Sequence, residues 1–187
     1  MSTLEVNTID SVSGTSNLTI GSSNSSQITL KSGATLTNFP ANAPAFSARM
    51  SSAQSITSGT YTKVDYDTEF FDTDSAYDHS TNQRFTVPSG KAGKYIITAL
   101  LNIYSSSALD AGSNYIRVNG TTVQTGYMDV GGNHDYHLSI TCSTIKDLSV
   151  GDYVEHWGLV NGEPAGTYKF YSDSNILRSF SLYRIGS

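Results

Sequence analysis

Residues 94–104, KYIITALLNIY, are apolar on both faces of any extended chain, and this constrains the fold more than any other stretch. Successive strand side chains point to opposite faces. Tyr95, Ile97, Ala99, Leu101 and Ile103 therefore share one face, and Ile96, Thr98, Leu100, Asn102 and Tyr104 share the other. A sheet with one wet side carries apolar residues on one face only, so the second face of this strand needs a cover. The chain holds 12 Tyr, 7 Phe and a single Trp, more aromatic surface than one thin sandwich needs. Tyr is enriched at interfaces, where its hydroxyl stays wet. The expected cover is another copy of the chain, with Ile96, Leu100 and Tyr104 at the contact.

The rest of the chain agrees with an all-β head. No stretch after residue 45 holds a 3.6-residue apolar stripe with caps at both ends. Strand signals recur instead at short intervals with turn chemistry between them. They cover Ala45–Met50, Thr60–Asp67, Arg84–Val87, Lys94–Tyr104, Tyr115–Asn119, Thr121–Met128, His134–Ile145, Asp152–Val160, Tyr168–Asp173 and Ser179–Ile185. Asn119-Gly120 joins two of them directly, and this dipeptide tolerates the positive φ angles of a type I′ hairpin turn. Many short strands spaced this way predict a sandwich, jelly roll or barrel. Cys142 is the only cysteine, so no intrachain disulfide forms; it lies on an alternating stretch and reads as a small core residue.

Residues 1–44 read differently. Glu5, Asp10 and Lys31 are their only charged side chains, and short apolar triplets (Leu18-Thr19-Ile20, Ile28-Thr29-Leu30, Thr35-Leu36-Thr37) recur between Gly, Ser and Asn. No triplet buries enough surface to order itself. Two readings stay open: a Ser-rich linker, or an extended stem in which three chains share a thin apolar centre. Pro40 and Pro44 then mark a semi-rigid hinge. The division expected is a low-complexity stem or attachment segment, 1–44, and a head, 45–187.

Several residue runs in the head resemble one family in its order. Phe85-Thr86-Val87-Pro88 followed by Gly93-Lys94-Tyr95 is similar to the FxxP…GxY signature of the complement C1q-like domain, a jelly roll of the tumour-necrosis-factor superfamily. Pro44-Ala45-Phe46-Ser47-Ala48 resembles its opening strand, and Val64–Asp67 with Tyr77-Asp78 its early aromatic and acidic stretch. Val118-Asn119-Gly120 resembles its mid-domain hairpin, and Leu148–Val154 its L-x-x-GD-x-V element. Ser179–Tyr183 resembles its closing strand, with Leu182 where the family usually has Gly. The resemblance implies an all-β jelly-roll sandwich, a homotrimer, a preceding stalk, and ligand binding by the loops or sides of the head. The opening Ser2–Ile9 and the Ser/Gly-rich stretches after it resemble small structural proteins of tailed bacteriophages, notably marine ones infecting cyanobacteria.

The chemistry-bearing residues point to binding. Between Asp65 and Asp78 lie six acids with no base among them, and hard oxygen ligands on a loop suit calcium. Asp65, Asp67, Asp72 and Asp74 are the calcium candidates, although their spacing lacks the EF-hand order; a solvated acidic loop is the competing reading. His134 and His137 stand three apart, which on a strand turns the rings to opposite sides. No nucleophile elbow, phosphate loop or dinucleotide fingerprint is present, so no enzyme is expected. Tyr127, Tyr136 and Tyr171 are candidate ligand-stacking residues, while Trp157 is expected to pack in the core or an interface. The net charge of −5 argues against a nucleic-acid partner, and no run is long enough for membrane insertion. The first residues lack a signal-peptide pattern. The expectation is a virion surface protein assembled in the host cytoplasm, trimeric, and tied to other virion proteins through residues 1–44. It would be a tail-fibre receptor-binding tip, contacting host surface glycan or protein, or a capsid decoration; a free lectin-like module is the alternative.

Overall fold

Alternating apolar and polar residues fold here as eleven antiparallel strands, with no helix among the described residues. The computed structural model describes residues 43–163, 165–172 and 179–186, and only the backbone of 133–136. The stem segment, save residues 43 and 44, lies outside the described residues. The strands are β1 Ala45–Arg49, β2 Gln54–Ile56, β3 Thr62–Lys63, β4 Thr68–Asp72, β5 Tyr77–Asp78, β6 Arg84–Thr86, β7 Gly93–Val118, β8 Thr121–Leu148, β9 Tyr153–Gly162, β10 Tyr168–Phe170 and β11 Ser179–Gly186.

The hydrogen-bonded order runs β4-β1-β11-β7-β9-β6-β5. It is continuous because β7 serves two layers. Its first half pairs with β11 over residues 94–99, and its second half pairs with β9 over 109–118. Between Ser105 and Leu109 the β7–β8 register slips, and there the ribbon passes from one layer to the other. Layer one thus holds β4, β1, β11, the first half of β7 and the second half of β8, with β10 and β2 extending it beyond Ile103. Layer two holds β5, β6, β9, β3, the second half of β7 and the first half of β8. The result is a jelly-roll sandwich.

The two inner faces share one core. Tyr95, Ile97, Ala99, Leu101 and Ile103 are fully buried, as the strand pattern predicts, and meet Ile116, Val154 and Val160 of layer two. Phe46 anchors one end, stacked on Tyr77 at 4.5 Å between centroids and edge-on to Phe180 at 5.2 Å. Such pairs add about 0.5–1.5 kcal/mol each beyond their area. A Cβ at Gly158 would stand 2.5 Å from Phe170 Cζ and 2.7 Å from Leu101 Cδ2, so β9 approaches the core at its closest only with glycine there. Asn119 and Gly120 have φ of 51° and 78°, the hairpin the sequence predicts. Cys142 is buried in the core cluster, and burial pushes its thiol up.

Three expectations change. The four strands read from Lys94 to Ile145 are two long ones bent between layers, because the serines at 105–107 bend the ladder without ending it. The strand read over Thr60–Asp67 shrinks to Thr62–Lys63. The acidic loop contains β4, where Phe70 and Phe71 sit between the acids, and β5.

Candidate binding faces

The outer face of layer one carries the other side of the two-faced strand. Asn102 is buried, Thr98, Leu100 and Tyr104 are half-buried, and Ile96 is 40 % exposed. Tyr183 of β11 pairs with Ile96 on one side and Ile145 of β8 pairs with it on the other. These neighbours are 46 % and 58 % exposed, so three large apolar side chains form an uncovered row across three strands. The row next to it is polar: Ser181, Thr98 and Ser143 lie side by side.

Farther along this face the candidates Tyr104 and Tyr171 come together. Their ring centroids are 6.0 Å apart, and His137 lies between, 5.4 Å from Tyr104 and 4.6 Å from Tyr171. Asn102 fixes the histidine. Its Nδ2 donates to Ser139 Oγ at 2.7 Å, so its Oδ1 is the acceptor for His137 Nδ1–H at 3.1 Å. The Tyr136 backbone pairs with Ser105, and its side chain, like that of His134, lies outside the described residues. Tyr127 is elsewhere, on the outer face of layer two.

That second face was not anticipated. Along β9, Val154, His156, Gly158 and Val160 turn inward, and Tyr153, Glu155, Trp157 and Leu159 turn outward. Trp157 is therefore half-buried on the outside, which removes the core from the two places expected for it, core or interface. Across from it stand Tyr115 and Lys63, and across from Glu155 stands Arg117. The Arg117 guanidinium lies 4.5 Å over the Trp157 ring and 5.2 Å over the Tyr61 ring, and Lys63 Nζ lies 5.4 Å from Trp157. The nearly buried Glu155 takes Lys63 Nζ at 2.5 Å on Oε1 and the Trp157 indole N–H at 3.0 Å on Oε2. Tyr61 packs on Tyr115 at 5.3 Å, and the 60 %-exposed Tyr127 follows two residues after Thr125, which pairs with Tyr115. The sequence signal was the twin alternations Tyr115-Ile116-Arg117 and Glu155-His156-Trp157, each with one inward residue between two outward ones.

Beneath this face a polar chain crosses the core. Asn114 Nδ2 donates to the carbonyls of Ala99 at 3.1 Å and Ile140 at 2.9 Å, both in layer one. Its Oδ1 must then accept from His156 Nε2–H at 2.6 Å, which leaves Nδ1 to accept from the Tyr66 hydroxyl at 2.7 Å. Tyr77 O–H donates in turn to the Tyr66 carbonyl at 3.2 Å. The tautomer is set by the network, and full burial holds His156 down to about 3, so it is neutral. The histidine ties layer two to layer one and meets no solvent.

Three of the four calcium candidates, Asp67, Asp72 and Asp74, have local partners. Asp67 accepts the N–H of Ser51 at 2.7 Å and its hydroxyl. Burial pushes Asp67 up, but these bonds pull it further down, below the usual carboxylate range. Asp72 accepts the N–H of Tyr77 at 2.7 Å and of Asp74 at 3.2 Å. Asp74 pairs with Lys91 at 3.5 Å. Asp65 is largely exposed, and partial desolvation of its carboxyl, then the nearby Asp67 charge, raises it. A cleft of about 260 Å³ lies between Glu69, Asp72, Tyr77, Asp78 and His79. No three His, Cys, Asp or Glu side chains converge as a metal site among the described residues.

This jelly-roll fold is similar to that of tumour-necrosis-factor and C1q-like domains. Three solved structures are similar to it. The Eiger TNF of S. frugiperda matches with TM-score 0.55 at 11 % identity, covering 76 % of this chain and 91 % of that one. Murine APRIL at pH 5.0 gives 0.54 at 10 %, covering 76 % and 100 %. The globular domain of zebrafish complement 1qA gives 0.51 at 13 %, covering 76 % and 96 %. No protein-family model matches the chain, and no curated protein matches it in sequence.

Proposed function

We propose that this protein is a non-enzymatic, homotrimeric binding module on the surface of a tailed-phage particle, attached to other virion proteins through residues 1–44. The observation that carries the trimer is the exposed row Tyr183–Ile96–Ile145 on the face of a strand whose other side fills the core. Burying such a row against a copy recovers about 25 cal/mol for each Å² removed from water. It also gives the second face of the strand the cover its sequence demands. Light scattering tests this directly. About three times the 20.1 kDa of one chain supports it, and a mass of one chain refutes it.

The virion role rests on the opening residues 2–9 and the low-complexity stretch after them, which resemble phage structural proteins. Within that role the head is a receptor-binding tail tip or a capsid decoration. Copy number in purified particles separates the two: a few trimers fit a tail tip, and tens to hundreds fit a decoration. Absence from particles refutes the virion role. It would leave a free lectin-like module, a reading favoured by the aromatic and cationic face of layer two.

A further inference from the structure

Arg117 and Glu155 are directly opposed on neighbouring strands, β7 and β9, which is the ordinary setting for an ion pair. They do not form one within 4.0 Å. Glu155 gives one carboxylate oxygen to Lys63 and the other to the Trp157 indole N–H. Lys63 uses a further proton on the Asn82 carbonyl at 2.9 Å. Arg117 keeps only ring contacts, and its buried Nε has no hydrogen-bond partner among the described residues.

A guanidinium carries five N–H donors in one plane and stays charged at any physiological pH. The rings of Trp157 and Tyr61 lie over it, and with Nε buried its two terminal nitrogens are the donors left for a ligand. Tyr61 is 51 % exposed, which puts a phenol rim beside them. Two cations and one carboxylate leave this patch positive on a chain of net charge −5. A planar fork with rigid walls matches a planar carboxylate, which it binds through two parallel hydrogen bonds. Aromatic rims beside it suit the C–H faces and hydroxyls of a sugar.

We propose that Arg117, flanked by Trp157 and Tyr61, is the binding site for the carboxylate of an acidic saccharide, a uronic acid unit within a polysaccharide. This deepens the reading of the head as a binding module and names its ligand class. The site does not rest on trimerisation, because the apolar row lies on the other layer.

The full chain carries its own probe: Trp157 is its only tryptophan, so all indole emission comes from this site. Titrating the protein with galacturonic acid oligomers is expected to give a saturable change in that emission, with little response to the same oligomers methyl-esterified. Arg117→Gln is expected to weaken binding at least tenfold. Arg117→Lys, which keeps the charge and loses the fork, is expected to fall between. Tyr61→Ala serves as the second variant if Arg117→Gln does not fold, and is also expected to weaken binding. No saturable change at millimolar oligomer, an equal response to the esterified oligomers, or full affinity in Arg117→Gln would overturn the proposal. So would tighter binding of a polyglutamate peptide, which would make the partner an acidic protein. Light scattering on the same samples reads the trimer separately, so failure of one reading is not failure of the other.

Discussion

Strand β7 builds both outer faces of the sandwich, and the two differ sharply. Its first half presents the uncharged Ile96, Thr98 and Leu100 after Lys94, beside a row of serines and threonines. Its second half presents Tyr115 and Arg117 in a stack of rings and cations. A face with an open apolar row and charges only toward its ends, Lys94 with Asp147 and Lys169, loses little when another such face covers that row, because few polar groups need new partners. A face of stacked cations would lose much, since each buried charge needs a partner. The first face is suited to assembly and the second to a hydrated, charged ligand.

The largest expected effect lies across the thickness of one strand. Leu101→Asp places a carboxylate in the core, and the cost of an unpaired buried charge is enough against a total stability of roughly 5–15 kcal/mol to unfold the head. Ile96→Asp, five residues away on the outer side, is expected to leave the fold intact and to reduce the mass in light scattering to one chain. A folded trimer in Ile96→Asp would move the contact off this face. A soluble, native Leu101→Asp would contradict the core.

The next effect concerns what joins the two layers. Asn114→Ala strands the Ala99 and Ile140 carbonyls and the His156 Nε2–H in the core. Each orphaned group costs about 1–3 kcal/mol, so a loss of about 3 kcal/mol or more in urea unfolding is expected. A loss below about 1 kcal/mol would mean that water enters and replaces the amide.

The same network predicts a pH dependence. The folded pKa of His156 is held at about 3 by burial, well below its ordinary 6.5. The folded state thus favours the neutral ring. Stability is fully present above pH 6.5 and falls as the pH drops from 6.5 toward 3, by at most about 1.4 kcal/mol per unit. Between pH 7 and 5 the expected loss is about 2 kcal/mol. Asp78, held at about 2 chiefly by the N–H of Thr81 and the amide of Asn82, acts only below its ordinary value near 4. The loss at pH 5 should therefore shrink in His156→Gln, whatever that variant costs at pH 7; an undiminished loss would assign it to other groups.

The contrast also shows what a sequence discloses. The two-faced strand and the Asn119-Gly120 hairpin were legible because each obeys a local rule, the period of a strand and the backbone needs of a turn. Strand spacing left a sandwich, jelly roll or barrel open, and the resemblance to C1q-like domains implied the jelly roll. The bend of β7 was not legible, since Ser105-Ser106-Ser107 carry no Gly or Pro and read as a break. The segment from Asp65 to Asp78 misled in another way. Its acids drew attention as a ligand set, yet Asp67 and Asp72 accept bonds from nearby backbone N–H groups, and Phe70 and Phe71 mark the strand between the acids. The Arg117 stack was out of reach because its members are distant in sequence. Residues 61, 115 and 157 meet only through the register of β3, β7 and β9. Tyr104 and Tyr171, proposed for different tasks, proved to be neighbours for the same reason.

The smallest expected effect sharpens the difference between the two faces most. Exposed cation–π contacts are worth about 0.5–1 kcal/mol each, and Arg117 makes two. Part of the arginine's value is its stem packed on rings, which Gln largely keeps. Arg117→Gln should therefore cost about 1 kcal/mol in urea unfolding and leave the mass in light scattering unchanged. A group built to hold the sandwich together would cost more. If the loss reached about 3 kcal/mol, the stack would be a brace for layer two rather than a surface kept charged for a ligand, since its guanidinium would then be contributing as much as a buried network. A small loss means that the ion pair left unmade between Arg117 and Glu155 is not needed for the fold, and the charge remains available at the surface.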